Sequence, residues 1–88
     1  MQHKIKIRRE YLKLVIEGKK TFEIRKNDRD YKVGDTIIFT SIAGEVCDCD
    51  EYFISYILSD FEGLAEGYVC LGIKPSGRLL EGSIKRSS

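Results

Sequence analysis

The chain has little of what most catalytic and secreted proteins rely on: one histidine, one proline and three cysteines in 88 residues. A single histidine, His3, close to the N-terminus and without partner spacing, leaves no basis for a Ser-His-Asp or Cys-His nucleophilic arrangement. There is no P-loop, no glycine signature of a dinucleotide-binding fold and no zinc-deaminase motif, so phosphoryl and hydride transfer find no support. No apolar run approaches the roughly 20 residues of a membrane span. The first ten residues alternate basic and apolar, so a secretory leader is not expected. An odd cysteine count argues against a disulfide framework. Cys47 and Cys49 stand one residue apart; with Asp48 or Asp50 they could ligate a metal, but they lack the paired Cys-x2-Cys spacing and supporting histidine of a structural zinc site. Cys70 stands alone in an apolar run. The expectation is reduced thiols in a cytoplasmic protein with no metal and no cofactor.

What is present is ordinary for one small folded domain: 42% hydrophobic and 33% charged residues, with a formal net charge of +1. The charge is segregated. Residues 1–32 carry eleven Lys/Arg against five Asp/Glu, residues 33–66 carry eight acids and no Lys or Arg, and the remainder returns to a balance of +3. Such a division permits one basic surface on a nearly neutral protein, suited to an anionic ligand. It also suits strands that bring the two halves together and offset their charges.

Residues 3–8 alternate with period two, Ile5 and Ile7 on one face and Lys4, Lys6 and Arg8 on the other. From Arg9 the period changes: Leu12, Val15 and Ile16, widened by Tyr11 and Leu14, predict a short amphipathic helix over 9–17. No side-chain cap begins it, and Gly18 is placed to end it. Residues 20–26 return to alternation, with Phe22 and Ile24 facing the core and Thr21, Glu23 and Arg25 facing away. Asn27-Asp28-Arg29-Asp30 and Val33-Gly34-Asp35 predict turns. Strands are predicted at 36–40, at 51–58 with Tyr52, Ile54, Tyr56 and Leu58 on one side, and at 68–73, ended by Pro75. Residues 43–50 predict a loop. Residues 76–88 predict a tail outside a single 1–75 domain, with a weak edge strand near Leu79 and Leu80 and a frayed end. The fold class is α+β, mainly β: about five strands in a closed or half-closed barrel, with one helix between the first two plugging an opening.

Thr21, Glu23 and Arg25 on one strand face place a hydroxyl, a carboxylate and a guanidinium in a row. Arg25 offers a donor fork for phosphate or a base edge, and Glu23 can accept from an amine or orient Arg25. A solvated Glu–Arg pair explains the same spacing equally well. Asn27 and the aspartates beside it suit turn capping, and Arg29 could extend a basic rim. Lys4, Lys6 and Arg8 could meet phosphates. Tyr31, Tyr52, Tyr56 and Tyr68 could stack on bases, although strand tyrosines more often anchor a core edge.

The run Gly18-Lys19-Lys20-Thr21-Phe22-Glu23-Ile24-Arg25-Lys26-Asn27-Asp28-Arg29-Asp30-Tyr31, followed by Val33-Gly34-Asp35 and by Gly63 to Ile73, resembles the ASCH superfamily. That superfamily carries the signature Gly-x-Lys-x-x-x-x-Arg. The likeness is greatest to its small phage- and bacteria-associated family DUF3850, and it covers residues 3–73. The resemblance implies a PUA-like β-barrel whose cleft, between barrel and helix, holds Gly18, Lys20 and Arg25 at the signature positions and Glu23 at a position polar in the superfamily. It implies RNA, or a nucleotide-like small molecule, as ligand, with DNA less favoured and no membrane. Ligand-binding candidates are then Lys20, Thr21, Glu23, Arg25, Asn27 and Arg29, with Lys4, Lys6, Lys19 and Lys26 as a basic rim. Some distant ASCH proteins are amidohydrolases of N4-acetylcytidine that use a lysine, a threonine and a glutamate. Lys20 matches the lysine, Glu23 replaces the threonine, and Glu51, Glu62 and Glu66 all compete for the third place. Three readings stay open: an RNA- or nucleotide-binding module; a small hydrolase of modified nucleosides or RNA with Lys20 and Glu23 as catalytic candidates; and an accessory protein-interaction domain using an apolar patch at Tyr52, Phe53 and Tyr56.

Overall fold

A computed structural model describes residues 1–41 and 50–79. The elements run β1 (Gln2–Ile7), α1 (Arg9–Ile16), β2 (Phe22–Lys26), β3 (Thr36–Ser41), β4 (Asp50–Leu58) and β5 (Tyr68–Leu79). One mixed sheet holds all five strands in the order β1-β3-β4-β5-β2, with β1 parallel to β3 and the other pairs antiparallel. The sheet curls into a half-barrel, the mainly β architecture the sequence predicts. Residues 43–49 of the loop predicted at 43–50, with Cys47, Cys49 and Asp48, and the tail beyond Leu79 lie outside the described residues, while Asp50 opens β4.

Alternation sets the inner face. His3, Ile5 and Ile7 of β1 are buried while Gln2, Lys4 and Lys6 are exposed. Ile37, Phe39, Tyr52, Ile54, Val69, Leu71 and Ile73 join them from β3, β4 and β5, and Leu12 and Val15 of α1 close the core. The helix is too short to stand alone, so this burial holds it.

Three expectations are corrected. Phe22 and Ile24 point outward, 45% and 51% exposed, while Glu23 is buried and Arg25 half-buried. The inner face of β2 looks onto a polar cleft, so the alternation is right but its two faces are exchanged. Tyr56 leaves the row of Tyr52 and Ile54, because the β4–β5 register shifts by one residue between Ile54 and Tyr56. A bulge there exchanges inner and outer positions. Finally, β5 runs on through Pro75 to Leu79. Its pairing with β2 ends at Phe22 opposite Gly72, with one more hydrogen bond from the Ile73 N–H to the Thr21 carbonyl. At Pro75, β5 is therefore paired with β4 alone and a proline lacking its N–H is tolerated.

One polar knot ties β1 to the turn before β3. His3 donates from Nε2 to Asp35 Oδ2 at 2.8 Å and packs against the Tyr31 ring at 4.7 Å between centroids. The Lys32 N–H reaches the same oxygen at 3.1 Å, and the Met1 amine meets Oδ1 at 3.2 Å. The His3 hydrogen bond, helped by the amine and the Lys32 N–H, holds the Asp35 carboxyl below its usual 3.8 against the opposing pull of desolvation. A depressed carboxylate stabilises the fold above the unfolded value, and that stability is lost as pH falls through the lower folded value. Asp35→Asn is therefore expected to cost about 1–2 kcal/mol at pH 7. Urea unfolding should show the gap to wild type closing as the pH is lowered from 5 to 3; a constant gap would remove Asp35 from the acid limb.

Candidate functional site

The site begins where α1 ends. Gly18, at φ +78°, donates to the Val15 carbonyl at 3.0 Å, and Lys19 donates to Leu14 at 2.9 Å. This is the paired hydrogen-bond pattern of a Schellman end, which needs the left-handed residue that glycine provides most easily. The Lys20 N–H also bonds the Leu14 carbonyl at 3.0 Å. The chain thus leaves the helix with Lys20 aimed at β2, which simple strand alternation does not convey.

Lys20 Nζ donates to Glu23 Oε1 and to the Phe22 carbonyl, the latter at 2.6 Å. It lies 5.1 Å from the Phe22 ring centroid and 5.9 Å from that of Tyr11. Glu23 Oε2 accepts from Arg25 Nε at 2.9 Å. One carboxylate therefore holds a cation on each oxygen, and all three charges are largely removed from water. Pairing on both oxygens offsets the cost of burying the Glu23 carboxylate.

Arg25 does a second job: its Nη2 donates to the Lys6 carbonyl, and Arg29 Nη1 donates to the Lys4 carbonyl at 2.8 Å. The edges of β1 and β2 face one another, and these two guanidinium groups bridge them where no backbone ladder does. Beside this seam opens a groove of about 470 Å³ lined by Lys6, Ile7, Arg8, Tyr11, Glu23, Ile24, Arg25, Lys26 and Tyr68.

The structure brings Glu23, Arg25, Lys6 and Lys26 together in the groove lining; Lys20 does not line it and reaches it only through its hydrogen bond to Glu23. Thr21 is exposed and not among the lining residues; its carbonyl accepts the Ile73 N–H at 3.0 Å. Asn27 caps its turn, with Oδ1 accepting the Tyr31 N–H at 3.3 Å, and lines a separate small hollow. Arg29 serves the seam. Lys4 contributes its carbonyl there, while Lys19 is exposed beside Glu17 at 3.6 Å. Of the four tyrosines considered for stacking, Tyr31 and Tyr52 are core residues, and Tyr56 and Tyr68 are exposed. Burial raises the Tyr31 phenol above its usual value, partly offset by Arg29 and Arg25. Buried Tyr52 breaks the apolar patch expected with Phe53 and Tyr56. Of the three later glutamates, Glu51 is buried on Gln2 (2.9 Å) and Ser76 (3.2 Å), and none of the three lines the groove. Tyr11 is the lining residue that sequence reasoning assigns to the core stripe of α1. Its 45% exposure shows that the stripe is narrower than the run of apolar residues.

No helix among the described residues is long and apolar enough to cross a membrane, and no metal-binding cluster of His, Cys, Asp and Glu occurs among them. Comparison with known proteins bears on the fold and the family. The crystal structure of the hypothetical protein PH0355 matches with a TM-score of 0.61 at 21% identity, over 85% of this chain and 99% of that one; the likeness is one of fold. An uncharacterized 12.9 kDa protein in the GpA 3' region of Escherichia phage P2 is 53% identical over 36 residues. That match takes in 41% of this chain and 33% of the relative, so the chain spans about a third of that protein's length. The family described as "Domain of unknown function (DUF3850)" matches residues 2–73, strand β1 through the groove to the inner half of β5, and the chain belongs to that family.

Proposed function

We propose that the groove binds single-stranded RNA or a nucleotide derived from it. The observation that carries this reading is the charge of the groove. Lys6, Arg8, Arg25 and Lys26 surround a single carboxylate whose two oxygens are already engaged, between the half-exposed rings of Tyr11 and Tyr68. Cations beside aromatic faces are what a single strand requires: phosphate neutralisation along the backbone and a platform for a base. Arg25 keeps N–H donors beyond those committed to Glu23 and Lys6, and they can reach a phosphate or a base edge. The likeness to ASCH proteins supports RNA over DNA.

The test is fluorescence anisotropy of a labelled RNA hexamer between 20 and 200 mM KCl. Affinity is expected to fall with salt, with a slope of about −0.7 for each phosphate neutralised. Arg25→Ala should weaken binding about tenfold and flatten the slope, with a dispersed NMR spectrum showing the variant folded. Wild-type protein that fails to bind at millimolar concentration, or a folded Arg25→Ala variant that binds as wild type, would overturn the reading.

The direct Lys20–Glu23 hydrogen bond favours one second reading, a small hydrolase of modified nucleosides or RNA. The groove is open, and beyond Glu23 the further proton carriers among its lining residues are Lys6, Lys26, Tyr11 and Tyr68. Turnover of N4-acetylcytidine that disappears in Glu23→Gln would establish that reading; equal rates in both proteins would sink it.

A further inference from the structure

The outer face of β2, β5 and β4 is a feature that the groove leaves unexplained. The registers Phe22↔Gly72↔Tyr56, Ile24↔Cys70↔Leu58 and Lys26↔Tyr68 place these side chains on one surface. Phe22 is 45% exposed, Tyr56 62% and Tyr68 40%. Exposed apolar groups gathered this closely usually mark a contact surface.

Three properties identify the occupant. The face carries Lys26 and, two residues beyond Gly72 on β5, Lys74, and Lys20 Nζ lies over the Phe22 ring; no carboxylate occurs among these face positions. Its charge therefore complements a polyanion. Second, Gly72 sits between Phe22 and Tyr56 with no side chain, while strands are spaced about 4.8 Å apart. The two aromatic residues thus flank a gap of about two strand spacings floored by backbone, wide enough to admit a planar ring. Third, Ile24, Lys26 and Tyr68 belong both to this face and to the lining of the groove, so the two surfaces are continuous around β2.

We infer that this face is a second stacking platform for the same RNA: a strand seated in the groove continues over β2 and places a neighbouring base above Gly72, between Phe22 and Tyr56. The inference rests on the groove reading and extends it from one nucleotide to an oligonucleotide. It also gives Gly72 a role. A Cβ there would stand 3.3 Å from Ser55 Oγ and 3.5 Å from Tyr56 Cβ, and any larger side chain would fill the gap.

The experiment compares an RNA hexamer, the matching DNA hexamer and AMP on wild type, Tyr56→Ala, Phe22→Ala and Arg25→Ala, with sedimentation velocity of each protein alone. Both aromatic residues are exposed, so their replacement leaves the core intact. Tyr56→Ala and Phe22→Ala should each weaken the RNA hexamer about tenfold and leave AMP unchanged, whereas Arg25→Ala weakens both. Aromatic variants that bind the hexamer as wild type, while Arg25→Ala still fails, would overturn the platform and spare the groove. Binding of neither RNA nor AMP would overturn both. A wild-type dimer that Tyr56→Ala dissolves, or tighter binding of DNA than RNA, would overturn the assignment of RNA to this face.

Discussion

Glu23→Ala is expected to lower stability by about 2–3 kcal/mol and the melting temperature by roughly 10–20 °C. An exposed ion pair would contribute well under 1 kcal/mol, and breaking a fully buried one costs about 3–5 kcal/mol. Here the carboxylate is buried and its partners are partly wet, Lys20 with 15% and Arg25 with 27% of its side chain exposed, which places the effect between those limits. The loss has two parts. Removing the acceptor leaves two cations with unmet donors, and it leaves Lys20 and Arg25 repelling each other across the vacated position. The second part is screened by salt, so melts at 0.05 and 0.5 M NaCl should differ more for the variant than for wild type. Glu23→Gln keeps one acceptor oxygen and should lose about half as much. A fall below 1 kcal/mol would mean that the three charges are solvated independently.

Phe39→Ala is expected to be more damaging, about 3–5 kcal/mol. Phe39 is 0% exposed and leads the fully buried side chains by volume; its ring meets Tyr52 edge-on at 5.6 Å between centroids. It lies at the middle of β3, the strand that joins parallel β1 to antiparallel β4, so its contacts hold both halves of the sheet. A domain of this size has little stability in reserve, and losing several kcal/mol would leave much of the population unfolded at 37 °C. Urea denaturation at 10 °C, where residual folding is measurable, gives the number; Phe39→Leu, which retains most of the volume, should lose less than half as much.

The two positions also mark what sequence reading can and cannot recover. Phe39, like Ile5 and Ile7, lies in a strand whose neighbours bury one face, and local alternation or an apolar run suffices to find it. Glu23 lies in an equally regular strand, yet the inference of which face is inside fails, because hydropathy assigns the apolar row to the interior. That row instead meets solvent, and the polar row meets Lys20 and the seam. The helix end was legible from Gly18, whose position after the amphipathic stripe predicts the left-handed turn. The bulge near Ser55 and the passage of β5 through Pro75 depend on which strands end where, information carried by partners far away in the chain. The same holds for the contacts of Arg25 with Lys6 and Arg29 with Lys4, separated by 19 and 25 positions.

Those two contacts bear on how the molecule behaves in a crowded solution. Strands at the limits of a sheet expose backbone acceptors that can recruit a strand from another molecule, the first step toward aggregation. In β1 the carbonyls of Lys4 and Lys6 are instead taken up by guanidinium groups of the same chain. Because the capping is done by side chains rather than by a further strand, it adds no residues to a short chain and leaves the adjoining groove open. The arginines that make this end of the molecule attractive to anions also make it a poor template for self-association.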